Sequence, residues 1–402
     1  MDRQRCDREV RKYPGEIGEG RSTVVIVRRY PFPVNPRRIL PLLLLVIVLA
    51  GVGFGIFRSH HVLQGQRESA RLAAATHLLT GAIGSEKEPF LDDPAVKAAL
   101  LKAGFEVRAD RVGSREIATA YKPGAYAFGW PSGAPAATKL KLVSHAQGEV
   151  TPFYTPMVIA TWAPIADILA ANGVVTGRGQ FRTVDMHKLV ALMLADKRWR
   201  DLAGSAAFPV NKAVLVTTTD VRKSNSAAMY LSLLSYIANG DAVVDDRATA
   251  LSVAETLAPL FLRQGFQEGS SASPFTDYTA MGMGKTPLLF AYESQVVEYL
   301  LKPDAPRKGQ MVVLLPTPTI LSKNVFVPYT DDARRLGTLL ATDPDIRDAA
   351  HRYGYRLPED AGVPPNWAKS GIAAPATILD VADPPSFETL ETMIGVIEAK
   401  LK

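Results

Sequence analysis

Four segments of this chain set small and hydroxyl-bearing residues between a strand-like run and a helix-like one. They are Gly81-Ala82-Ile83-Gly84-Ser85-Glu86-Lys87, Val112-Gly113-Ser114-Arg115-Glu116, Gly129-Trp130-Pro131-Ser132-Gly133, and Thr217 to Ser226 (TTTDVRKSNS). Free backbone N–H groups at a helix start attract an anion or a carbonyl oxygen, and hydroxyls beside them add donors. In open α/β sheets, ligands bind beyond the carboxyl ends of strands. A plainer role exists for the same residues, because Ser, Thr and Asn also cap helices. Four such loops in one chain favour a shared cleft for a small polar ligand, an anion among the candidates.

Catalytic patterns are weaker. Met281-Gly282-Met283-Gly284-Lys285-Thr286 ends like a phosphate-binding loop, yet Thr279 occupies the first glycine position and Pro287 follows where a helix should continue. The six histidines (His60, His61, His77, His145, His187, His351) show no metal-ligand spacing, and no Gly-x-Ser-x-Gly elbow is present. Asp92-Asp93, Asp245-Asp246 and Asp331-Asp332 fall at expected helix starts, where carboxylates suit the helix dipole. The reading is therefore of a binding protein, with no enzymatic activity, cofactor or metal.

The elements that position these loops follow from periodicity. Strands are expected at Thr76–Thr80, Phe105–Ala109, Ala125–Gly129, Lys139–Ser144, Met157–Thr161, Ala213–Thr217, Leu288–Tyr292 and Met311–Leu315. Helices are expected at Asp93–Ala103, Pro164–Asn172, Met186–Ala195, Ser226–Asn239, Asp246–Gln264, Ser294–Leu301, Asp331–Ala341 and Pro344–Arg352. A final helix carries Leu390, Met393, Ile394, Ile397 and Leu401 on one face, a stripe that packs on the domain. Short apolar runs alternating with helices indicate an α/β fold.

The order Leu78-Leu79-Thr80, Gly84-Ser85-Glu86-Lys87, Gly104-Phe105-Glu106-Val107, Val112-Gly113-Ser114-Arg115-Glu116-Ile117-Ala118 and Ala127-Phe128-Gly129-Trp130-Pro131-Ser132 resembles the opening of type II periplasmic (extracellular) solute-binding proteins. So does Pro209-Val210-Asn211-Lys212 followed by Thr219 to Ser226, and the resemblance spans about residues 73–350. It implies two α/β lobes closing over a ligand at a hinge, with crossings near Pro156–Trp162 and Leu288–Glu293. By position, Gly84, Ser85, Ser114 and Ser132 would face the ligand from the first lobe. Thr219, Ser224, Asn225 and Ser226 would face it from the second, with Tyr292 near the hinge. The first lobe would comprise about 73–155 and 288–402, the second about 156–287.

The segment Ile39–Phe57 holds nineteen consecutive uncharged, mostly apolar residues, flanked by Arg37, Arg38 and Arg58. At about 1.5 Å rise per residue it matches the roughly 30 Å hydrocarbon layer of a bilayer. Residues 1–38 carry ten Lys or Arg against five Asp or Glu, so that tail is expected on the cytoplasmic side. A cleaved signal peptide is the competing reading, but it has a shorter leader and a small-residue cleavage site. The expected layout is a basic tail (1–38), a transmembrane signal anchor (39–57), a tether (58–72) and an extracytoplasmic domain (73–402). Because the tail supplies +5 of the net charge of +6, the basic balance reflects orientation and contact with anionic lipid, not nucleic acid. The single cysteine, Cys6, lies in the tail, so the exported part forms no internal disulfide.

Two functions are compatible with this layout. One is a membrane-anchored solute-binding protein whose partners are a small-molecule or oxyanion ligand, membrane lipid and a transporter. The other is an interaction or sensing module of an envelope assembly that uses the same fold. Either way, protease added outside osmotically opened cells should digest the domain and spare the tail; digestion of the tail with survival of the domain would reverse the orientation.

Overall fold

The computed structural model describes residues 76–401 apart from residue 120; the expected tail, anchor and tether lie outside the described residues. Among the described residues no helix is long and apolar enough to cross a membrane.

In chain order, β1 (His77–Ile83), α1 (Glu88–Asp92), α2 (Pro94–Lys102), β2 (Phe105–Arg111), α3 (Ser114–Thr119), β3 (Phe128–Trp130) and α4 (Ala134–Ser144) lead to β4 (Val150–Trp162). There follow α5 (Ala163–Ala171), β5 (Val175–Thr176), β6 (Phe181–Asp185), α6 (Met186–Leu194), α7 (Asn225–Ala238), α8 (Arg247–Leu262), α9 (Ala272–Met281), β7 (Leu288–Tyr292), α10 (Glu293–Leu301) and β8 (Met311–Thr317). The last elements are β9 (Thr319–Pro328), α11 (Asp331–Thr342), α12 (Pro344–Arg352), α13 (Pro365–Lys369), β10 (Val381–Ala382) and α14 (Phe387–Lys400).

The strands run β2-β1-β3-β9-β4-β8-β6-β5. On one side β1 pairs in parallel with β2 and β3. On the other, β8 pairs in parallel with β6. The long strand β4 joins the two halves. Its residues Val150 to Pro156 pair with β9, and Met157 to Trp162 pair with β7 and β8. Each half has its own apolar core. Phe90, Trp130, Phe153, Phe326 and Tyr355 anchor the first, with the Phe90 and Phe153 rings edge to face at 5.0 Å. Trp162, Trp199, Tyr230, Phe261 and Phe290 belong to the second. The fold is α/β and two-lobed.

The first crossing falls within β4, which contains Pro156–Trp162. The second does not lie at Leu288–Glu293. β7 stays in the second lobe, hydrogen-bonded to β4, as does β8; the chain returns through β9, one residue after β8 ends. Residues 288–317 therefore leave the first lobe, where the sequence reading put them, and α14 packs mainly on the second core. The sequence hid β9 because buried Ser322 and Asn324 interrupt its apolar pattern. Lys139–Ser144, expected as a strand, forms the last turns of α4. Its alternation is no sheet signal, since Leu142 is 67 % exposed, and Pro135 sits in the helix's first turn. Ala213–Thr217 makes only isolated bridges, from Ala213 to Arg198 and from Thr217 to Leu289.

The helix starts follow their caps. The Asp93 carboxylate accepts from Ala95 and Val96 N–H, and that of Asp246 from Ala248 and Thr249. Asp331 and Asp332 occupy the first turn of α11, behind the Thr330 cap. Met281–Thr286 leads out of α9 toward β7, the reverse of the strand-to-helix order a phosphate loop requires.

Near the lobe junction, Arg356 and Glu293 form a buried ion pair, with contacts of 2.6 and 2.9 Å and exposures of 2 % and 0 %. Removing one member strands the other charge, at a cost of about 3–5 kcal/mol. Glu293→Ala should therefore lower stability in urea by that amount, and Glu293→Leu combined with Arg356→Met by clearly less. Equal losses in the two variants would show that packing, not the stranded charge, sets the cost.

Candidate functional site

Where the lobes face each other lies a cleft of about 110 Å³. From the first lobe it is lined by Gly84, Ser85 and Glu86 after β1, and by Arg111, Val112, Gly113 and Ser114 between β2 and α3. From the second come Lys223, Ser224 and Asn225 before α7, Gly269, Ser270 and Ser271 before α9, and Tyr292 at the end of β7.

Behind the first wall sits a compact polar network. Ser132 is fully buried; its N–H donates to the Ser114 hydroxyl at 2.9 Å, and that hydroxyl donates back to Ser132 Oγ at 3.1 Å. Ser132 Oγ in turn donates to the Glu86 carboxylate and accepts from Lys87 Nζ at 2.7 Å. Lys87, fully buried, also donates to Glu86. Burial resists ionisation of Glu86, but the neighbouring ammonium and hydroxyl prevail and hold its carboxyl below the usual range. Burial pushes the Lys87 ammonium down, against the pull of Glu86. The pair is thus internally neutralised. Gly84 is required for the fit, since a Cβ there would lie 2.5 Å from Ser132 Oγ.

The second wall closes directly on the first. Asn225 Nδ2 donates to the Ser132 carbonyl and to the Tyr292 hydroxyl, both at 3.2 Å. A Cβ on Gly113 would come within 2.9 Å of the Lys223 carbonyl, and one on Gly133 within 2.6 Å of Asn225 Oδ1. Burial pushes the Tyr292 phenol far up, so it stays a neutral hydroxyl. The cationic side chains at the cleft are Arg111, paired with Glu88 at 3.1 Å, and exposed Lys223, which has no ion-pair partner among the described residues.

Solved structures with a similar chain trace are binding proteins. The apo ferric ion-binding protein A of Pasteurella haemolytica aligns at TM-score 0.49 and 11% identity, covering 81% of this chain and 95% of its own. Iron-bound HitA from Pseudomonas aeruginosa aligns at 0.48 and 10%, covering 80% and 98%. The sulfate-binding protein SubI from Mycobacterium tuberculosis aligns at 0.45 and 15%, covering 81% and 99%. No protein-family model matches the sequence, and no curated protein does. The two-lobed architecture rests on the strand order and separate cores above.

Of the residues singled out from sequence, Gly84, Ser85, Ser114, Ser224, Asn225 and Tyr292 line the cleft, and Ser132 lies one layer behind it. Thr219 and Ser226 do not line it. Thr219 borders a separate cavity of about 300 Å³ with Val221, Phe261 and Phe266, because the loop turns away from the cleft before Lys223. Ser226 faces inward from the first turn of α7, fully buried. The capping role fails for Ser224, which stands at the N-cap of α7 without a side-chain cap bond. Sequence reasoning passed over Glu86 and Lys87, quoted only as part of a loop, and Gly269-Ser270-Ser271. The latter carried the same hydroxyl-before-helix signal as the four loops chosen. Among the described residues no group of three His, Cys, Asp or Glu is placed to hold a metal ion.

The lowered carboxyl of Glu86 fixes a sign. Its folded value lies below the ordinary 4.5, so the pair's contribution is complete above about pH 4.5 and is lost as pH falls through the folded value. Urea unfolding between pH 7 and pH 3 should show a shallower acid loss for Glu86→Gln/Lys87→Met than for the wild type. Identical acid slopes would remove the pair from the acid response.

Proposed function

We propose that this chain is a membrane-anchored extracytoplasmic solute-binding protein that captures a small polar anion between its lobes, without turnover. The observation that carries the reading is the combination of size and lining. At about 110 Å³ the cleft suits a small ligand such as a tetrahedral oxyanion or a short carboxylate. Ser85, Ser114, Ser224, Ser270 and Ser271 line it, drawn from both lobes. Arg111 and Lys223 supply positive charge, while the negative charge of Glu86 is already met by Lys87. The start of α7 adds N–H groups that no intrahelical carbonyl takes up. Anchoring by 39–57 would keep the captured ligand at the membrane surface, where a transporter could take it.

Thermal-shift screening of the purified protein against oxyanions, short carboxylates, amino acids and sugars tests this directly. An anion at 100 times its Kd should stabilise by about 2.7 kcal/mol. Stabilisation by sugars alone would defeat the reading. A hydroxyl bonded to a buried ligand is worth about 0.5–1.5 kcal/mol, so Ser114→Ala and Ser224→Ala should each weaken the anion found by roughly three- to thirtyfold. Since the Ser224 hydroxyl caps nothing, its loss should leave the melting temperature unchanged. A lower melting temperature with unaltered affinity in both variants would return these serines to a purely structural role.

A further inference from the structure

Helix α14 belongs to both lobes at once. Phe387, at its start, packs in a small first-lobe core with Ala82, Ile117, Ala136 and Leu140. From the next turn onward Leu390, Met393, Ile394 and Ile397 are buried in the second lobe's core. Its charged face repeats the division. Lys400 pairs with Glu255 of α8 in the second lobe at 2.6 Å. Glu388 pairs with Lys139 of α4 at 2.8 Å, and Glu391 accepts from Nε and Nη2 of the Arg115 guanidinium on α3, from the latter at 2.6 Å.

Arg115 does more than reach α14. It follows Ser114 directly, and its Nη1 donates to the Arg222 carbonyl at 2.6 Å, one residue before the cleft-lining Lys223. One guanidinium therefore ties the first wall of the cleft, the second wall and the C-terminal helix together. Moving the lobes apart has to break the Arg222 bond, the Glu391 pair, the Glu388 pair or the seat of Phe387. A helix serving only as cover for α8 would need its apolar stripe alone; the contacts to α3 and α4 add nothing to that role.

We propose that α14 is a latch that holds the cleft closed without ligand, with Arg115 as the positioning residue on which it catches. Its importance for uptake rests on the reading of the cleft as the binding site; its existence does not. Exposed ion pairs are individually weak and screened by salt, so closure by several of them together is reversible and loosens as ionic strength rises.

Spin labels report on the latch with no ligand added. In the full-length chain, kept in detergent and carrying Cys6→Ser, cysteines replace Lys102 on α2 and Lys188 on α6, one exposed site in each lobe. The distance distribution should be narrow with the native latch. It should broaden and lengthen by several ångströms with Glu388→Gln/Glu391→Gln, which removes charge without removing a buried group. The exchange Arg115→Glu/Glu391→Arg rebuilds the α3–α14 pair but not the bond to the Arg222 carbonyl, so it should be narrower than Arg115→Glu alone and broader than the native chain. Equal distributions for the exchange and Arg115→Glu would deny the pair any part in the latch. A Gln variant whose distribution superimposes on the native one overturns the latch, as does a native distribution that is already broad. Should the exchange variant fail to fold, the native latch at low and high salt gives the same decision: its distribution should broaden as salt rises, and that of the Gln variant should change little. Failure of every anion to bind would leave this result untouched.

Discussion

The pair of part-buried Glu86 and fully buried Lys87, bridged by Ser132, is the constraint around which the first lobe's half of the cleft is built. Two charges withdrawn from water are tolerable only when they meet each other and their remaining bonds are filled. Ser132 fills one for each partner, and Ser114 fixes Ser132. The loops after β1, β2 and β3 are therefore held together by one continuous set of hydrogen bonds. Gly84 has no side chain because that set leaves no room for one. The same network presents its carbonyl, at Ser132, to Asn225 across the boundary.

The hinge obeys a different economy. β4 runs unbroken from one sheet half to the other, so the lobes share backbone hydrogen bonds instead of meeting through a flexible linker. β9 returns beside it, and its buried Ser322 donates to the Ser132 carbonyl. β4 and β9 thus form one paired ribbon between the lobes, and the polar residues in β9 link that ribbon to the site. Asn324, also in β9, is buried with its side-chain amide unpaired while its carbonyl accepts from Trp130.

Much of the architecture was legible in sequence, for physical reasons. Helices such as α2 and α8 announced themselves through aspartate caps. β1, β2, β7 and β8 did so as short apolar runs. What escaped was controlled by tertiary context. β9 carries polar residues that only the finished site can satisfy, and the Lys-Leu alternation at the end of α4 mimics a strand while pointing Leu142 into solvent. At the site, the helix-start rule found Ser114, Ser224 and Asn225. It could not separate Thr219, which faces away, from its neighbours, because a loop's direction is not written in its composition. Nor could it see that Glu86 and Lys87, adjacent in sequence, would pair with each other, Lys87 fully buried.

The dual membership of α14 carries a consequence for how the protein is made. Phe387 completes a first-lobe core whose other members come from residues 82–327, and Leu390 to Ile397 cover a face of α8 laid down more than a hundred residues earlier. Neither lobe is finished until the last fifteen or so residues are available. During synthesis at about 5–20 residues per second, the second core and the small first-lobe cluster around Phe387 stay open until α14 emerges, whereas the first core has all its residues by Leu357. The second core and that cluster are closed by the same helix.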